Sequence, residues 1–242
     1  MAEQPVSIRS WSSPKRLAFV LAVLLVIWAV LAYLVVPAIW KTYAHRHPAL
    51  DAIPNITLTG SGIPGDPLNI ALIGTRQDLM KIMVAAKWYP ADPLSFKSCL
   101  EIAEATVLKH PYDQAPVSSL YLFGRKEDLA FEQPVGNNPR ERHHVRFWLA
   151  EKTDALNRPL WIGSAVFDQH VGISRTTGQI THVTAADVDT ERDYLMQCLS
   201  KTGSLVEQSY EDGFHQVHEG KNGGGDPWKT DGRLAVGVIK LP

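Results

Sequence analysis

The stretch ERHHVRFW at 141–148 sets two adjacent imidazoles among arginines and aromatics. Strand alternation puts His143, Val145, Phe147 and Leu149 on one face, which reads as core, and His144, Arg146 and Trp148 on the other, which is cationic and aromatic. Further along stand Asp168, His182 and a helix start rich in charge: Asp187, Asp189, Glu191, Arg192 and Asp193. A site follows if the strands holding these groups converge on that helix start. His144, Asp168 and His182 would then be the protein ligands of an open divalent transition metal such as zinc. Arg146 would hold an anionic oxygen bidentately, and Asp189 would complete the catalytic group. The chemistry would be metal-assisted hydrolysis of a phosphoester-type substrate. No fixed ligand spacing such as H-E-x-x-H or H-x-H accompanies these residues.

The same residues also suit a purely structural role. Asp187 and Asp189 fit a helix N-terminus, whose free N–H groups and macrodipole favour negative charge. Glu191 and Arg192 border the apolar stripe Val188, Leu195 and Leu199. Arg142 or Arg146 would pair with one of these acids, and Trp148 and Trp161 would cover the arginine stems. His45, His47, His110, His170, His215 and His218 have no comparable company.

The elements that must position these groups are legible from pattern. Residues 41–67 are rich in Pro and Gly and read as a linker, with the folded domain spanning 68–242. LNIALIG at 68–74 suits a buried strand, and Thr75 with Asp78 three residues on opens a helix with a capping box. A second helix is predicted from Phe96 to Leu108, stopped by Pro111. The period then changes to two. SSLYLFG, DLAFEQP, HHVRFWLAE and RPLWIGSAVFD form a predicted antiparallel meander, with QITHVT as a further short strand. DVDTERDYLMQCLSK is the next helix. SLVEQSYE and RLAVGVIK close the chain as strands, separated by the flexible loop NGGGDPW. The expected class is α+β, a mainly antiparallel or mixed sheet with about three packed helices, preceded by one N-terminal transmembrane helix.

That helix comes from LAFVLAVLLVIWAVLAYLVV at 17–36, which carries no charge and at ~1.5 Å per residue reaches about 30 Å, the thickness of the hydrocarbon core. It is longer than a cleaved secretory segment, so an uncleaved anchor over 17–40 is favoured, bound to the lipid bilayer. Arg9, Lys15 and Arg16 precede the span, against Lys41 and Arg46 after it. The positive-inside rule therefore leans to a cytoplasmic segment 1–16 and an exported, periplasmic domain in a bacterial inner membrane. Removing the three basic and one acidic residues of the first 40 from totals of 24 and 25 leaves 21 basic and 24 acidic. This balance offers no electrostatic footprint for nucleic acid. Cys99 and Cys198 pair only if the fold brings them together in an oxidising compartment.

The ordered set APVSSLYLFGRKEDLAFEQ (115–133), RHHVRFW (142–148), RPLWIGSAVFD (158–168) and THVTAADVDTERDYL (181–195) resembles the LssY-like C-terminal domain family, over about residues 68 to 205. The resemblance implies a bacterial envelope context and no particular reaction. Relatives carry this domain after multi-span modules, some similar to type 2 phosphatidic acid phosphatases. The central P-S-G-H element of those phosphatases is absent, so their activity is not carried over. Two expectations remain: a membrane-anchored recognition or accessory module for an envelope protein or lipid partner, or an anchored metal-assisted hydrolase.

Overall fold

The structure is a computed structural model that describes residues 14–40, 55–91, 119–136 and 138–240. The predicted helix at 96–108 and Cys99 lie outside these residues, and Cys198 is a half-buried free thiol.

Helix α1 (Pro14–Val30) runs through a wider π turn, Leu31–Val35, into a last helical stretch ending at residue 40. Over Arg16–Trp40 it is long and apolar enough to cross a membrane. Unlike a core helix it is largely bare, and Ala32 is its one buried residue among those described.

The domain is built on an eight-stranded mixed sheet. Its strands are β3 (Ile70–Ile73), β4 (Tyr89–Pro90), β7 (Leu129–Val135), β8 (Asn138–Thr153), β9 (Pro159–Ile173), β10 (Ile180–Thr184), β11 (Leu205–Glu211) and β14 (Leu234–Ile239). The order is β11-β14-β3-β9-β8-β7-β4, with β10 paired to the far end of β9. Every pairing is antiparallel except β14 with β3.

Both faces of this sheet are covered, which explains why β3 reads as a continuous apolar run. One face takes helices α2 (Arg76–Ala85) and α3 (Val188–Lys201) on Leu72, Phe131, Val145, Phe147 and Trp161. Their starts follow local chemistry. Thr75 and Asp78 form the expected capping box, and Asp187 caps α3 by accepting from the Thr190 N–H.

The other face carries a second sheet of order β2-β1-β5-β6: β1 (Ile56–Thr59), β2 (Pro64–Pro67), β5 (Leu120–Leu122) and β6 (Arg125–Lys126). It packs through Leu68 and Leu120 on Trp148, Ile162 and Leu234. A hairpin, β12 (Glu219–Lys221) with β13 (Pro227–Lys229), adds Trp228 against Ile56, Val166 and Val188.

Two expectations are corrected here. Residues 56–59 and 64–67 are paired strands joined by a turn rather than linker, their Pro and Gly content suiting short strands in a small sheet. The NGGGDPW stretch is the turn of a hairpin whose Asn222 side chain accepts from the N–H groups of Gly224 and Asp226. Gly223 is needed there because a Cβ would run into the Thr59 side chain.

Asn69, fully buried, ties the layers together. Its amide donates to Ala165 O at 2.8 Å and Val188 O at 3.0 Å and accepts from Ala165 N at 2.8 Å, joining β9 to the first residue of α3.

Candidate functional site

Strand β8 places Arg142, His144 and Arg146 at period two on the face turned toward the second sheet, and all three are buried. Directly across on β9 lie Asp168, Val166 and Ser164 respectively. The register of β9 with β10 slips between Val183 and Thr184, so His182 and Thr184 fall on the same face as Asp168. Asp66 comes from β2, and Asn222, Gly223 and Gly224 from the hairpin turn. Together they enclose a cavity of about 260 Å³ lined by Arg146, Asp66, Asp168, His182 and Asn222 with a ring of Ser and Thr hydroxyls.

The charges are arranged in layers. Arg142 donates through Nε to Asp168 Oδ2 at 3.0 Å and through Nη1 to Glu132 Oε2 at 2.8 Å. Its Nη2 lies 3.4 Å from His182 Nε2. Arg146 approaches Asp66 Oδ2 at 3.5 Å, and Asp66 Oδ1 accepts from Asn222 Nδ2 at 3.1 Å. Burial pushes the Asp66 carboxyl up, against the opposing pull of Arg146 and the Asn222 hydrogen bond. Burial also pushes His144 well down, reinforced by the Arg146 and Arg142 guanidiniums. His182 is lowered by burial, opposed by Asp168 and assisted by the two arginines. Both imidazoles are therefore neutral at pH 7. Neither ring nitrogen of His144 has a hydrogen-bond partner among the described residues, and its Nδ1 is 4.0 Å from Asp168 Oδ2.

Of the residues singled out from sequence, His144, Arg146, Asp168 and His182 come together, and Asp189 does not. Asp189 sits at the start of α3, accepting from Arg192 Nη1 at 3.0 Å, Thr230 Oγ1 at 2.8 Å and the Asp231 N–H at 2.5 Å. Among the described residues no three His, Cys, Asp or Glu side chains are grouped to hold a metal ion. The reason is visible in the pairing: Arg142 already takes the Asp168 oxygen and approaches the His182 nitrogen that a metal would need.

The expected charge pairing with α3 is made by the other face of β8. His143 Nδ1 donates to Glu191 Oε2 at 2.9 Å and its ring stacks on Tyr194 at 4.1 Å between centroids. Burial raises the Glu191 carboxyl, and His143 opposes that rise. Arg142 and Arg146 face away from the helix. Trp161 is in the helix-side core, donating to Gly74 O at 3.1 Å, on the face of the sheet opposite to Arg142 and Arg146.

Asp66 and Asn222 were not legible as site residues, because each lies in a stretch that composition assigns to linker or loop. His215 is buried as well, its Nε2 donating to Leu68 O at 2.6 Å, and it stands outside the cavity.

Comparison with protein families gives a match over residues 50–234 to the family described as the LssY C-terminus. The chain belongs to this family. The match to the LssY C-terminus begins upstream of β1 and ends at the first residue of β14, so it takes in every residue that lines the cavity. Neither the curated proteins nor the solved structures contain a match to the chain.

Proposed function

We propose that this LssY C-terminal chain is a membrane-anchored recognition module whose cavity takes a hydroxyl-bearing, phosphate-type lipid head group. The observation that carries the reading is the cavity wall itself. Ser174, Thr177, Gln179, Thr181 and His182 belong to the turn and strand that touch the anchor helix, so one wall of the cavity is built from the segment docked on that helix.

The lining chemistry supports the ligand class. Arg146 and the Ser and Thr hydroxyls are donors for anionic oxygens. Asp66 and Asp168 balance the arginines and accept from ligand hydroxyls, so a bare anion is less well matched than an anion carrying hydroxyl groups. Neutral His182 adds no positive charge to the lining.

The test is calorimetric titration of the full chain in mild detergent with glycerol phosphate, inorganic phosphate and glycerol. Glycerol phosphate is expected to bind more tightly than either fragment, with binding weakened in Asp66→Asn and lost in Arg146→Met. Equal binding by Arg146→Met, or none by the wild type, would contradict the reading.

The same proposal places the domain outside a bacterial inner membrane. Its support is the charge bias of Arg9, Lys15 and Arg16 against Lys41 and Arg46. A C-terminal reporter fusion active only in the periplasm is the expected result, and one active only in the cytoplasm would reverse the topology.

A further inference from the structure

The anchor helix has a built-in break. Val36 N–H reaches back five residues to Leu31 O, and Pro37 has no N–H to offer. The Ala32 carbonyl therefore has no donor from the next turn of its own helix. An unsatisfied carbonyl is costly in a bilayer, where no water can replace the missing donor. The domain supplies it: Gln179 Nε2 donates to Ala32 O at 3.0 Å. Beside it the Ile180 N–H donates to Tyr33 Oη at 3.1 Å. Gly178 sits over Ala32 and Trp28, which is why Ala32 is only 3% exposed on an otherwise bare helix.

The hairpin that makes these contacts carries apolar side chains with nothing over them. Ile173 and Ile180 face each other across the β9–β10 pair and are 64% and 59% exposed, and Val171 on the same face is 43% exposed. Arg175, at the tip, is exposed. Ala32 lies eight residues before Trp40, the end of the span, or about 12 Å along the helix at ~1.5 Å per residue, so a hairpin docked there lies against the interfacial layer of the bilayer rather than out in bulk water.

We propose that the β9–β10 hairpin, from Val171 to Ile180, is a second membrane-contact element. It docks on the Pro37 break, sinks Val171, Ile173 and Ile180 into the interface, and places Arg175 among lipid phosphates. The occupant of this surface is the lipid bilayer, because the patch is continuous with the apolar anchor it is hydrogen-bonded to. The inference rests on residues 16–40 crossing the bilayer and is independent of what the cavity binds.

The test uses the full chain in phosphatidylcholine vesicles, with Cys99→Ser and Cys198→Ser as background. Spin labels are attached singly at Ile173→Cys, Ile180→Cys, Leu24→Cys in the anchor and Leu156→Cys in the distant, exposed β8–β9 turn. Labels at 24, 173 and 180 are expected to be severalfold less accessible to a water-soluble paramagnetic quencher than the label at 156. Labels at 173 and 180 as accessible as 156, with 24 protected, would overturn the proposal. A Leu24 label as accessible as 156 would remove the anchor and the proposal with it. A second measurement needs no substitution. Photoreactive diazirine lipid should label peptides from both 17–36 and 171–182 in the native chain, and labelling confined to the anchor would overturn the inference.

Discussion

Replacing Arg142 by Met probes the charge layer beneath the cavity. Arg142 is 4% exposed and Asp168 2%, and the guanidinium meets that carboxylate at 3.0 Å and Glu132 at 2.8 Å. A methionine keeps much of the volume and removes the cation, leaving the Asp168 carboxylate buried beside the neutral His144 ring at 4.0 Å. Breaking a buried pair from one side costs about 3–5 kcal/mol, because the remaining charge is stranded away from water. In a domain of this size 1 kcal/mol moves the midpoint by roughly 2–4 °C, so the expected loss is roughly 6–20 °C. The assay is thermal unfolding of the full chain in mild detergent, followed by near-ultraviolet circular dichroism. Adding Asp168→Asn to Arg142→Met should recover about 2 kcal/mol, since the stranded charge is then gone. A single variant within about 1 kcal/mol of wild type, or a cycle additive to within about 0.5 kcal/mol, would refute the reasoning.

Stability should also fall as the pH drops through the ordinary histidine range. His144, His182 and His215 all have lowered pKa values, chiefly from burial, so the unfolded chain binds more protons in that window and stability rises with pH there. The slope reaches at most about 1.4 kcal/mol per pH unit for each group. Glu191 and Asp66, raised by burial, act in the opposite sense. His144→Leu isolates the largest histidine contribution: melting temperatures measured from pH 7.5 down to 5.5 should fall less in the variant, and an unchanged slope would contradict it. Gly163→Ala should destabilise by about 1–3 kcal/mol, because the added methyl would lie 2.7 Å from the Phe147 ring and 2.9 Å from Arg146 O. A denaturant midpoint equal to wild type would count against that packing. Asn69→Leu should cost more than about 2 kcal/mol by leaving the backbone groups of Ala165 and Val188 unpaired, read by the same denaturation.

What was legible in the sequence was local. Thr75 and Asp78 announce their helix because both halves of a capping box lie within four residues. The alternation of β8 correctly separates His143, Val145 and Phe147 from His144, Arg146 and Trp148. It carries no information on what covers each face, so an arginine of β8 was matched to one of the acids of α3, whereas Glu191 pairs with His143 and Asp189 with Arg192. His182 shares a face with Asp168 only because the β9–β10 register slips, and a slip leaves no mark on alternation. Asp66 was hidden between Gly65 and Pro67 in a stretch whose composition favours a linker, although those residues pair in a small sheet. The fold class and the long apolar helix followed from long-range periodicity and length, which survive such local surprises. The layer order of side chains around the cavity depends on tertiary packing and did not.

The most direct test of the account is lipid retention. The full chain, with wild-type, Arg146→Met or Asp66→Asn cavity, is reconstituted in nanodiscs of equal phosphatidylglycerol and phosphatidylcholine, extracted mildly, and its bound lipid identified by native mass spectrometry. Phosphatidylglycerol, which carries both a phosphate and free hydroxyls, should be enriched on the wild type, and the enrichment should disappear in Arg146→Met. Lipid profiles identical for all three proteins would contradict head-group recognition by this cavity.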